Sequence, residues 1–169
     1  MQEIELISQL FRYNSYVRKK YLRLFETMSW EELNRNREAS FHSLKGVFLH
    51  TLDVYEYWMT PEEKRGSYRN MEERIRVSGV EDMKRCEEET DRKIMEFIGA
   101  IQQKGLDGDA ITYYGGREEH VQLRDLLLHL VEEELQHRGE LNCLLWQMDI
   151  EPPVTGYDDW RIEERGRSS

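Results

Sequence analysis

Residues 123–148 read LRDLLLHLVEEELQHRGELNCLLWQM. Leu123, Leu126, Leu130, Leu141, Leu144 and Met148 fall at the three- and four-residue steps that line one face of an α-helix. The middle of that series is filled by Glu133 and His137, one turn apart on the same face. A helix of about residues 122 to 148 with one apolar stripe cannot bury that stripe alone.

Three further segments supply partners. From Ile4 the positions Ile7, Leu10, Val17, Tyr21, Leu24 and Met28 predict a helix over about 2–27, its stripe interrupted by Tyr13 and Asn14. Leu44, Val47, His50, Val54 and Trp58 predict a second over about 41–59, with Ser40 and Ser43 as candidate N-caps and Thr60-Pro61 as the stop. Val80, Met83, Cys86, Thr90, Ile94, Phe97 and Ile101 predict a third over about 80–103, closed by Gly105. Residues 61–79 are charged and lack a long period, so they read as a connection with a short helix near 70–76. Ala110 to Tyr114 and Glu118 to Val121 flank Gly115-Gly116 and predict a small hairpin. Glu151-Pro152-Pro153 ends the ordered part, leaving 156–169 as a polar, frayed tail. The expected fold is all-α, a four-helix bundle over residues 1–155.

The chain has 169 residues, the length of one domain. Lys and Arg number 24 against 34 Asp and Glu, a net charge of −10, which argues against nucleic acid because phosphate binding needs clustered cations. The apolar runs are far shorter than the roughly 20 residues of a membrane span. Cys86 and Cys143 lie far apart and no secretion signal opens the chain, so the expectation is a cytoplasmic protein with free thiols. Neither cysteine has a basic neighbour engaged on its face, so neither is read as a nucleophile.

A carboxylate and an imidazole in an apolar stripe are costly unless something compensates them. His50 occupies the inward position of its own helix, between Val47 and Val54, so a third donor can face Glu133 and His137 across the bundle. Two His and one Glu form a divalent-metal set that leaves a coordination position open, as catalytic zinc and mononuclear iron sites do. The same residues also read as an internal histidine beside an ion pair, and spacing alone leaves both readings open. A ferritin-like di-iron site needs two Glu-x-x-His motifs, whereas this chain has one, Glu134 to His137. The string His-Glu-x-x-His and the glycine-rich phosphate loops are absent.

Tyr13-Asn14, His50 followed eight residues later by Trp58, and the run from Leu128 to Leu141 ending in His137-Arg138-Gly139 together resemble the DinB-like family. The resemblance covers roughly residues 1–155. It implies an up-down-down-up four-helix bundle, often a homodimer, that holds one divalent ion (zinc, nickel or iron) on three side chains. His50 matches the helix-two ligand and His137 the last ligand. Position 133 is commonly His in the family and is Glu here, which keeps a donor but adds negative charge.

Around that set, His129 is read as an outer partner or packing residue, and Glu134 or Glu132 as a proton acceptor if either points inward. Tyr13, Asn14, Trp58, Tyr113 and Tyr114 are read as possible cavity walls, or as plain core. Arg138 and Glu140 are read as seam residues that pair with helix-one charges or stay solvated. Some relatives transfer low-molecular-weight thiols to electrophiles, so the resemblance implies a metal-dependent thiol transferase as the leading chemistry. A metal-dependent hydrolase and a noncatalytic, metal-stabilised binding or stress protein are the alternatives.

Overall fold

The computed structural model describes residues 2–114 and 117–167. In order the chain forms α1 (Gln2–Phe25), α2 (Trp30–Asn34), α3 (Leu44–Met59), α4 (Glu62–Arg65), α5 (Met71–Arg74), α6 (Val80–Lys104), β1 (Asp109–Tyr114), β2 (Arg117–Gln122), α7 (Leu123–Trp146) and α8 (Tyr157–Arg167). The four long helices are those the apolar stripes predict. Both α1 and α3 pack against α6 and α7. No described helix is long and apolar enough to cross a membrane.

Local chemistry sets the boundaries. Ser43, rather than Ser40, caps α3: its Oγ accepts from the Gly46 amide at 3.0 Å. Gly105 ends α6 at φ +88, a conformation that a Cβ would strain. β1 and β2 pair antiparallel with Ala110 opposite Val121 and Thr112 opposite Glu119. The Gly115-Gly116 loop and the Tyr113 and Tyr114 side chains lie outside the described residues.

The core comes in two apolar clusters. One gathers Phe25, Leu44, Phe48, Leu52, Leu141 and Leu145; the other gathers Ile7, Phe11, Ile94, Leu127 and Leu130. Along α1, α6 and α7 the positions between them are polar yet buried: Asn14, Arg18, Glu87, Thr90, Glu134 and Arg138. Arg18 is the hub. It donates to Glu134 at 2.7 Å, to Asp91 at 3.3 Å and to Glu87 at 3.4 Å. Burial works against its charge, but Glu134 and the other surrounding acids outweigh burial and hold its pKa above the ordinary value.

Two sequence expectations change here. The stripe of α7 is centred on Glu134 and Arg138, 3% and 8% exposed, while Glu133 and His137 sit half-buried at its edge. The tail is also not frayed, because α8 docks through Tyr157 and Trp160, whose rings meet Tyr13 at 5.2 and 5.7 Å. Trp160 is 3% exposed, and the Tyr13 hydroxyl donates to the Thr155 carbonyl. Two aromatics three residues apart in a polar stretch anchor this helix, aided by Glu163, which accepts from Tyr16 at 2.7 Å and Lys20 at 3.3 Å. Trp160→Ala is expected to lower the unfolding free energy in urea by about 3 kcal/mol. A loss below about 1 kcal/mol would mean that α8 is not part of the cooperative unit.

Candidate metal centre

His50 projects from α3, and Glu133 and His137 project from successive turns of α7. One donor atom from each lies within 4.8 Å of the other two. Glu133 Oε2 stands 3.5 Å from His137 Nε2, close to the roughly 3.4 Å that separates two ligands on a tetrahedral zinc. The donor set, a carboxylate oxygen with two imidazole nitrogens, is one that zinc, nickel and iron all accept. The three sequence-predicted ligands are thus brought together with room for a divalent ion between them.

The loop before α3 completes the site. Phe41 stacks on His50 with ring centroids 3.6 Å apart and planes at 14°, and it meets His137 edge-on at 5.4 Å. The chain reaches this position because residue 46 is glycine: a Cβ there would fall 2.0 Å from the Phe41 carbonyl oxygen. Gly46→Ala is therefore expected to cost about 1–3 kcal/mol and to remove the ring-current shift of Phe41 from the His50 proton resonances. Unchanged resonances would separate Gly46 from the placement of Phe41. Burial, and secondarily the His137 ring at 4.7 Å, push the His50 pKa down to about 4. At neutral pH His50 is uncharged, with a lone pair to offer a metal.

The outer partner of His137 is one that sequence reasoning missed. Its Nδ1 faces Glu140 Oε2 at 3.4 Å, which leaves Nε2 directed at Glu133. Glu140 is anchored in turn, accepting from the Ser40 amide at 2.8 Å and the Ser40 hydroxyl at 2.7 Å. Burial alone would raise the Glu140 carboxyl, but these bonds hold it below its ordinary value. Glu140 therefore serves α7 and the loop, not helix one.

Other candidates are distributed differently. His129 is exposed at the rim, its Nε2 3.7 Å from Glu133 Oε1 and its Nδ1 3.7 Å from Glu132. Glu132 is exposed and takes a hydrogen bond from Gln136. Glu134 points the other way, accepting from Arg18 at 2.7 Å and from the Tyr55 hydroxyl at 2.6 Å. Arg138 donates to the Tyr13 hydroxyl at 2.7 Å and to Asn14 at 2.9 Å, so Tyr13 and Asn14 belong to the buried polar layer and not to a cavity wall. Trp58 does wall a cavity. About 440 Å³ in volume, it is bounded by His50, Glu133, His129, Tyr57, Trp58 and Tyr68, and so opens directly beside two of the three donors, His50 and Glu133. Cys86 is buried, which raises its thiol pKa, while Cys143 is exposed; both are free.

A model of the DinB family matches residues 1–165, essentially the whole chain, and the chain belongs to that family of metal-binding domains. No curated protein matches it.

Proposed function

We propose that this DinB-family chain holds one divalent ion, zinc, nickel or iron, on His50, Glu133 and His137, and uses it to transfer a low-molecular-weight thiol to a small electrophile. The observation that carries this reading is the convergence of three donor atoms within 4.8 Å, two of whose residues, His50 and Glu133, line a 440 Å³ cavity. A bound divalent ion supplies Lewis acidity, lowering the pKa of a thiol that reaches it. Glu140 fixes the tautomer of His137, and Tyr57, Trp58 and Tyr68 give the cavity aromatic walls. His129, at the rim beside Glu133, is placed to accept the thiol proton. Hydrolysis fits less well, because Glu134 is committed to Arg18 and Tyr55.

The reading takes the long helices as one bundle in up-down-down-up order. The packing of α1 and α3 on both α6 and α7, and the long link from α3 to α6, support that order. It also takes the protein as a homodimer, for which Leu128 and Leu135, about half exposed and seven residues apart on α7, offer an apolar stripe.

Turnover of glutathione or cysteine with a chlorodinitrobenzene, abolished by chelation and restored by one of the three metals, is the expected result. Protein that binds metal stoichiometrically yet turns over no thiol and electrophile pair would contradict the catalytic reading and favour a metal-stabilised binding protein. Glu140→Gln is expected to weaken metal binding by about 10- to 100-fold, as loss of an outer partner does. Competition titration with a chromogenic chelator measures it; unchanged affinity would remove Glu140 from the site.

A further inference from the structure

We propose that a second cavity, formed by the end of α3, the α4–α5 segment and α6, binds a small, multiply charged anion. Its volume is about 590 Å³, within the range of small-molecule sites. Four cations line it, Lys64, Arg69, Arg74 and Lys93, in a chain whose net charge is −10. Two of them are already neutralised. Glu56, 7% exposed, accepts from Arg74 at 2.5 Å and from Lys93 at 2.9 Å, and Lys93 also pairs with Glu89 at 2.9 Å, so two carboxylates answer the two cations. The cavity's other carboxylate, Glu96, pairs with Arg92 at 2.7 Å. Lys64 and Arg69 also line the cavity, and neither meets a carboxylate among the described residues.

An ammonium and a guanidinium fork, both from the α4–α5 side of the cavity, are the donors that carboxylate and phosphate groups call for. The Ser67 and Tyr68 hydroxyls donate to the Lys64 carbonyl and to Asp53, so the cations supply the recognition, while Met59 and Phe97 add apolar surface for a short carbon skeleton. The ligand class that fits is a dicarboxylate or a phosphate-bearing small molecule. The site does not depend on the metal reading, because none of the three candidate ligands lines it.

Calorimetric titration of the full chain at low ionic strength, with succinate and separately with inorganic phosphate, tests the proposal. Saturable one-site binding is expected, with the tighter probe naming the head group. Affinity should fall at least about tenfold in Lys64→Gln/Arg69→Gln, since hydrogen bonds to charged groups carry that much. Both side chains are exposed, so the variant should keep the parent circular dichroism. His50→Ala/His137→Ala should bind the anion as the parent does, which separates this site from the metal centre. Absence of saturable binding for both probes, or equal affinity in parent and Lys64→Gln/Arg69→Gln, would overturn it.

Discussion

His137→Ala is expected to weaken divalent-metal binding by at least about 100-fold, more than loss of an outer partner costs. His137 combines three roles: Nε2 lies 3.5 Å from Glu133, Nδ1 is oriented by Glu140, and the ring packs on His50 and Phe41. Alanine removes a donor and loosens the other two. Glu133→His keeps three donors and should keep binding, with its metal preference changed by the loss of one negative charge. Titration of both variants with zinc, nickel and ferrous iron separates these effects. Equal affinities for parent and His137→Ala would leave Glu133 and His137 as an ion pair within one helix.

Arg18→Met should be the most damaging change to the fold, at about 3–5 kcal/mol in urea unfolding. The Glu134 and Glu87 side chains are 4% and 1% exposed, and methionine leaves both without their cation. Burial already holds the Glu87 pKa up, even though Arg18 works against it. An unpaired buried carboxylate has a folded pKa above its unfolded one, so protonation favours the folded state. The deficit of the variant should therefore shrink as pH falls from neutrality. Arg18→Met/Glu134→Gln should recover part of it, because the two sites share one interaction. A deficit below about 1 kcal/mol, flat with pH, would mean that the layer is hydrated and not load-sharing.

Much of this architecture is legible in sequence because apolar periodicity survives over long helices. The stripes from Ile4, Leu44, Val80 and Leu123 each mark a real helix. α2 is five residues long, too short to show a period, although Ser29 caps it and Leu33 is fully buried. α8 was hidden by its charged composition, since Tyr157 and Trp160 are the residues by which it joins the apolar cluster and its Glu163 docks through polar bonds to Tyr16 and Lys20.

His50, Glu133 and His137 could be gathered by asking which polar residues sit in apolar series. The same question misplaced the centre of the α7 stripe. Glu133 and Glu134 are consecutive, about 100° apart around a helix, and only the packed neighbours decide which is deeper. Glu134 won because Arg18 and Tyr55 satisfy it there. Glu140, Ser40 and Phe41 were beyond reach, because their roles depend on a loop that returns to α7 from about 100 residues away. Gly46 was the one available signal, a glycine inside a helix where close backbone approach is one reason to find it.

Anomalous diffraction from crystals grown with zinc tests the central claim most directly. The account predicts one strong peak about 2.0–2.2 Å from His50, Glu133 and His137, absent from crystals of His50→Ala. Anomalous density confined to surface carboxylates, with the three side chains left as a hydrogen-bonded cluster, would contradict it.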